Sequence, residues 1–496
     1  MLTRIIFVLL TALSLVSSPL ADQKTVNPGP PHLQTTPDDF ILEFYPVAPY
    51  HVGDVLSVRV SYTGQKDIGG NEIILSLAEN PGVALETTTF SSHAQQAIFY
   101  WALDTEGFEP GFIHFRFTIP DLEETWTAGV NLLPTPPNRE AGWETIHTDC
   151  CTLHFISGTD AVEDIQIIQE AVQEEVSSTL SQFFPDGVPS DFALGHSLTL
   201  NFIPVAVGHG GFAGDEAVIT YSHRNWLGSD FQTLIHHEIV HVLDRRLNDE
   251  GPRPRLLSEG LAVYLSGGHY QQEDIPVRAA ALLQAEMYLP LVEIMDDFYD
   301  AQHEIGYTEA GAFVAYMIQR WGWESYIDFY FNLPEGANDT EIISSALEEH
   351  FDLDLAGLES EFVAYLRTLE VSTSVQVDVQ LTVQLYNAIR RYESIAIPSA
   401  YFRTAWWPPV ERMRENGIVG DYAFREKSPT NIIIENLFQE IHEAREAKAY
   451  NRVEKTLGQI NAYLDILESA DGVFSHYSIG APFPHPLNIF ISPFFH

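Results

Sequence analysis

The 496-residue sequence predicts a multidomain chain in three regions: an antiparallel β-sandwich of immunoglobulin-like type, a central α+β domain, and a C-terminal region that is mostly α-helical. Three observations carry this. Short runs of alternating apolar and polar residues fill 39–134; strand patterns then interleave with amphipathic helical patterns over 145–370; beyond 370 the helical period continues without strands. About three domains is also the expectation from length. A composition of 45% hydrophobic and 12% aromatic residues is that of a packed chain.

Residues 1–21 open with Arg4 as the early charge, followed by about a dozen apolar residues, which is signal-peptide length and short for a bilayer. Ser17, Ser18 and Ala21 offer small residues for cleavage. No cysteine follows for lipid attachment, and no later apolar run reaches membrane-helix length. A secreted or periplasmic, soluble mature protein is expected, with no stable membrane insertion. Residues 22–38, rich in Pro, Thr and Gly, read as a linker.

The sandwich strands are expected at 40–44, 55–62, 72–77, 97–101 and 112–119, punctuated by Gly69-Gly70 and Asn80-Pro81-Gly82. Nothing in them looks catalytic, which leaves a spacer or a polymer-binding module. A Pro-rich break follows at 134–138. The adjacent Cys150 and Cys151 would face opposite sides of a strand, so two unpaired thiols are expected in preference to a vicinal disulfide or an intermolecular bridge. Strands are then expected at 151–156, 198–205 and 217–221, a helix at 160–184, and a Gly-rich turn at 208–214. Helices follow at 258–266, stopping at Gly267-Gly268, and at 276–287, 307–321, 323–331, 339–350 and 355–369. The C-terminal region, 371–496, reads as helices at 377–392, 431–447 and 452–467, then a Pro- and Phe-rich arm at 479–496.

The 25 basic and 69 acidic residues give a net charge of −44, which argues against a nucleic-acid partner because phosphates would be repelled. An acidic solvated surface accounts for the rest of that charge.

Chemistry concentrates at 231–246, which contains H-E-x-x-H at His237, Glu238 and His241. The spacing predicts a helix, with Ser229 and Gln232 as a capping box. On it the two imidazoles stand one turn apart on one face, where both can meet one metal ion. Glu238 is near that ion without binding it, where a carboxylate can take a proton from water. His236 is rotated about 100° away and is expected in solvent or behind the site. A catalytic zinc needs a third protein ligand. Asp244 and Leu247 stand where a metzincin would have Gly and His, so that class is excluded. Glu259, 18 residues beyond His241 across a Pro/Gly loop, is the alternative.

With these pieces the chain resembles the gluzincin metallopeptidases, on His237-Glu-Ile-Val-His241, Ser258-Glu259-Gly-Leu-Ala262 and the spacing between them. It looks most like the peptidase MA-like branch, over about 145–369. The resemblance implies a zincin-like central domain, Zn2+ as cofactor, His237, His241 and Glu259 as metal ligands, Glu238 as general base and peptide or protein substrates. It also implies Tyr307 as donor to the oxyanion, with Tyr316 as a rival. Two departures stand out. Val263 occupies the position of an orienting aspartate, for which Asp244 is the substitute unless it pairs at the surface. The aminopeptidase signature G-x-M-E-N is missing, with Asp215 or Glu216 as alternative amine binders beside a strand that would pair with substrate backbone. The expected function is a secreted zinc metallopeptidase hydrolysing peptide bonds; the alternatives are a non-catalytic interaction protein on the same scaffold, and an aminopeptidase.

Overall fold

The computed structural model describes residues 36–45, 50–80, 82–91, 95–135, 141–189, 198–204, 210–223, 230–248, 251–296, 298, 302–396, 410–419 and 429–474. The expected signal peptide, nearly all of the expected linker, Ser229, His209 and the expected arm at 479–496 lie outside them.

Eight strands form the N-terminal β-rich region: β1 (Phe40–Tyr45), β2 (Tyr50–His51), β3 (Val55–Tyr62), β4 (Glu72–Leu77), β5 (Ala84–Thr89), β6 (Gln96–Asp104), β7 (Gly111–Ile119) and β8 (Glu124–Leu133). They make one sheet in the order β1-β3-β6 and another in the order β2-β8-β7-β4-β5. The period-two pattern closes them face to face: Val58, Val60, Phe99, Phe115, Phe117, Trp126 and Val130 meet in one core. The sequence reading missed β5 and β8, although β8 alternates buried Trp126, Ala128, Val130 and Leu132 along one face.

A third sheet runs β12-β13-β11-β10-β9 and comprises β9 (Trp143–His147), β10 (Cys151–Ile156), β11 (Leu198–Ile203), β12 (Gly211–Ala213) and β13 (Ala217–Thr220). β10, β11 and β13 are parallel; β12 and β9 are antiparallel edges. One face, with Leu153, Phe155, Leu200, Phe202 and Ile219, packs under α1 (Asp160–Glu163), α2 (Ile165–Phe183) and α3 (Phe231–Leu247). The other face presents Ile156, Ile203 and Val218.

Cys150 and Cys151 form a vicinal disulfide, contrary to the expectation of free thiols. Only Cys151 belongs to β10. The pair lies in a turn closed by Thr148 N–H donating to Cys151 O, at 2.8 Å, so the alternation of a strand interior does not apply there.

Among the described residues the motif helix is followed up to 370 by α4 (Arg255–Ser266), α5 (Ile275–Gln284), α6 (Leu291–Asp296), α7 (His303–Trp321), α8 (Trp323–Phe331), α9 (Asp339–Phe351) and α10 (Leu355–Leu366). The C-terminal region is helical: α11 (Thr373–Ala396), α12 (Val410–Glu415), α13 (Pro429–Glu446) and α14 (Tyr450–Phe474). α11, α13 and α14 enclose their own core of Ile389, Tyr392, Phe438, Ile441, Ile460 and Leu464. α12, absent from the sequence reading, lays Val410 and Met413 on the outer face of the third sheet. Among the described residues no helix is long and apolar enough to cross a membrane.

α4 and α7 approach closely at Gly260, where a Cβ would lie 2.5 Å from Ala310 O. In an ordinary helix interior Gly→Ala stabilises by up to about 1 kcal/mol. Here the sign reverses: Gly260→Ala is expected to destabilise by about 1–3 kcal/mol, read as a lower urea midpoint, because backbone must shift to admit the methyl.

Candidate metal centre

The motif helix α3 is capped by Asp230, whose carboxylate accepts from the Thr233 backbone N–H at 3.3 Å; Ser229, expected to cap it, lies outside the described residues. Leu234, Ile235, Val242 and Leu243 bury one side of α3 in the main core, which turns His237 and His241 toward α4. α4 answers with Glu259, and its C-terminus is closed by Gly267 in the left-handed region (φ 76°).

Three donor atoms then form a near-equilateral triangle. His241 Nε2 lies 3.1 Å from His237 Nε2 and 3.1 Å from Glu259 Oε2, and His237 Nε2 lies 3.4 Å from Glu259 Oε2. These are the residues among those described that group as a potential metal site. Around a tetrahedral ion with bonds of about 2.0–2.1 Å, donor atoms stand about 3.3–3.4 Å apart, so the triangle fits zinc. All three side chains are buried or nearly so. Two imidazoles and one carboxylate, kept from water, form a donor set of the kind catalytic zinc takes.

Electrostatics inside the triangle follow from burial and from Glu259. Burial pushes the His237 imidazolium down to about 4. Burial also opposes charge on His241, but Glu259, Glu238 and Asp244 outweigh it and raise its value. Burial likewise opposes ionisation of Glu259, yet His241 and His237 hold its carboxyl well below the usual range. A cation seated between these groups would compete with the protonation of His241 that Glu259 favours.

Glu238 is buried beside the triangle, and burial pushes its carboxyl up to about 8. Its Oε2 and the Nδ1 of His237 are buried without a hydrogen-bond partner among the described residues. Its Oε1 lies against the edge strand: a Cβ on Gly211 in β12 would stand 2.7 Å from it. Gly211→Ala is therefore expected to swing the Glu238 carboxylate aside. The prediction is a lower urea midpoint with metal content unchanged, checked by parallel denaturation and metal analysis.

The structure places Tyr307 one turn inside α7, not at the helix start as the sequence implied. Its ring is buried, with its centroid 6.2 Å from that of His237. Tyr316 packs on Phe362 and Tyr365, and its hydroxyl accepts from Arg320, so it belongs to a different contact. Asp244 neither orients an imidazole nor pairs at the surface. It is buried and accepts from Arg253 at 3.2 Å and from the Tyr330 hydroxyl at 3.0 Å. His236, expected in solvent or behind the site, is buried; its Nδ1 and Nε2 lie 2.7 and 2.8 Å from Glu175 and Gln182, clamping α3 to α2. Glu216 is engaged by Arg414 of α12 through two hydrogen bonds of 2.8 and 2.7 Å, and Asp215 is exposed.

Three further groups beside the triangle escaped the sequence reading. His269 stacks on Tyr307 with centroids 3.9 Å apart and planes within 6°. His303 lies one turn before Tyr307 on α7. Its Nδ1 faces Arg390 at 2.9 Å and its Nε2 faces the Tyr270 hydroxyl at 2.6 Å. A guanidinium cannot accept, so Nδ1 is the acceptor and Nε2–H donates to Tyr270. Glu304 accepts from Arg278. The i, i+4 spacing of His303 and Tyr307 is the signal that could have flagged this face.

No family model matches the chain, and no curated protein matches it. Among solved structures, the crystal structure of an aminopeptidase N family protein from Idiomarina loihiensis is similar at 10% identity and a TM-score of 0.30, over 68% of this chain and 78% of that one.

Proposed function

We propose that this chain is a secreted zinc-dependent metallopeptidase of gluzincin type that hydrolyses peptide bonds. We divide it into a signal peptide at 1–21, a linker at 22–38, a β-sandwich domain at 39–134, a metallopeptidase domain at 145–370 and a helical region at 371–496. The observation that carries the reading is the 3.1–3.4 Å donor triangle of His237, His241 and Glu259 with the Glu238 carboxylate beside it.

Zinc held by these three residues would supply Lewis acidity toward a carbonyl and a lowered pKa for water. Glu238 takes the proton from the attacking water at its carboxylate and returns it to the leaving amine nitrogen. Tyr307 donates its phenolic hydrogen to the developing oxyanion while staying neutral. β12, at the edge of its sheet, pairs with an extended peptide and sets the scissile bond beside Glu238. Glu216 is held by Arg414, which leaves the exposed Asp215 as the acid for a substrate amine in the aminopeptidase alternative.

The test is metal analysis with hydrolysis of an unfolded protein. About one zinc per chain with cleavage that a chelator removes and zinc restores supports the reading. One zinc per chain without cleavage across a broad peptide library would favour the non-catalytic scaffold. Equal cleavage of free and N-acetylated forms of one peptide is expected, and loss on acetylation would point to an aminopeptidase.

A further inference from the structure

The wall behind the donor triangle is built from groups that the proposed chemistry leaves without a task. α4 ends at Ser266, and a tight turn follows, fixed by Ser266 Oγ–H donating to Gly268 O at 2.7 Å and by Glu273 N–H donating to Gly267 O at 2.8 Å. Gly268 has no room for a side chain, since a Cβ would lie 1.7 Å from Gln271 O. This turn delivers His269 flat onto Tyr307, between Tyr307 and Tyr270, with the ring centroid 5.9 Å from that of His237. His269 is 5% exposed. Its Nδ1 and the Oε2 of Glu304 stand 3.7 Å apart, and both are buried without a hydrogen-bond partner among the described residues.

A buried N and a buried carboxylate oxygen that face each other just beyond hydrogen-bond reach are a pair waiting for a small closing movement; such bonds are often long until a site is loaded. Glu304 is fixed from behind, because its Oε1 accepts from Arg278 Nη2 at 3.3 Å, and Arg278 in turn donates to Asp378 at 2.7 Å. Rotation of the imidazole within its own plane would carry Nδ1 toward the fixed carboxylate without breaking the stack on Tyr307. With Nδ1–H directed at Glu304, the ring plane of His269 is set, and a ring stacked within 6° of it is held parallel to that plane.

We propose that His269, oriented by Glu304, is a positioning residue that holds the Tyr307 ring in the plane from which its hydroxyl addresses the substrate oxyanion. This rests on the peptidase reading above. His269 acts through Tyr307 and donates nothing to substrate itself. Glu304 is its anchor, and the glycine turn at 267–268 is what makes the stack reachable from α4.

The experiment uses the full zinc-loaded chain and the variants His269→Ala, His269→Phe, Tyr307→Phe and the double variant His269→Ala/Tyr307→Phe. It reads kcat and KM on one cleaved peptide, affinity for a phosphinic peptide whose tetrahedral oxygen stands in for the oxyanion, zinc content, and circular dichroism. His269→Ala is expected to lower kcat and phosphinate affinity about tenfold or more, with KM within about threefold and zinc unchanged. Tyr307→Phe is expected to lose as much, and the double variant no more than either single one, because both remove one function. His269→Phe keeps a stacking ring but has no Nδ1–H for Glu304 to orient, so it is expected to fold by circular dichroism and yet to recover little of the loss; full recovery would overturn the anchoring role of Glu304. Additive losses in the double variant would overturn the proposal, as would loss of zinc in His269→Ala or wild-type kcat in that variant. If the unmutated chain neither cleaves peptide nor binds the phosphinate, the peptidase reading fails first and the proposal falls with it.

Discussion

Glu238→Gln is expected to lower kcat by about 10²–10⁴-fold while zinc content stays at the wild-type value. The side chain is buried, and its volume is conserved by the amide, so the local packing of α3 against β12 is kept. What is lost is an oxygen able to accept and return a proton. Glu238 is outside the 3.1–3.4 Å triangle, so the donor set is untouched. Stability is expected to hold or rise slightly, since a neutral amide avoids the burial penalty that pushes this carboxyl up to about 8. Turnover of a fluorogenic peptide, zinc by elemental analysis and a thermal melt check all three points. Full activity in the Gln variant would remove Glu238 from the chemistry, and loss of zinc would place it among the ligands.

The centre was legible to the extent that it depends on local geometry. His237 and His241 share a face because they are four residues apart on one helix, and their side chains come together whatever surrounds them. Glu259 was reachable because a short connection between two helices confines how they can lie, and α3 and α4 meet where the spacing implied. The surroundings were not legible in this way. His269, His303 and Glu304 come together only once α7 packs on α4 at the Gly260–Ala310 contact, and nothing in the sequence near His269 announces that contact. Asp244 looked like a surface acid beside Arg245, but its partners are Arg253, across the α3–α4 connection, and Tyr330, from α8. The alternation of sandwich strands revealed β3, β4 and β7, while the Thr- and Gly-containing β8 carries its apolar set on Trp126, Ala128, Val130 and Leu132 alone. The cysteines illustrate the converse: a sound rule about strands was applied to a pair of which only one member is in the strand.

Glu259→Ala is expected to weaken zinc binding by at least about 100-fold, because removing a hydrogen-bond partner of a ligand already costs about 10–100-fold and Glu259 is proposed as a ligand itself. Two separate losses are involved, and they can be told apart. In the chelated protein, Glu259 is the carboxylate that faces His241, 3.1 Å away; Glu259 is buried and His241 nearly so. Without it His241 must either sit in the interior as an uncompensated cation or give up its proton. Breaking a buried pair in this way costs about 3–5 kcal/mol, so the melting temperature in chelator should fall. The second loss is the metal's own stabilisation. A ligand present at about 100 times its Kd stabilises by about 2.7 kcal/mol, so a 100-fold weaker site forfeits most of that. Wild type should therefore melt higher with zinc than with chelator, and Glu259→Ala should melt alike in both. Glu259→Gln should separate charge from coordination: its amide oxygen can still face the ion, so some zinc-dependent stabilisation should return. If Glu259→Ala retains wild-type zinc affinity and the same zinc-dependent rise in melting temperature, the third ligand lies elsewhere and the gluzincin assignment fails with it.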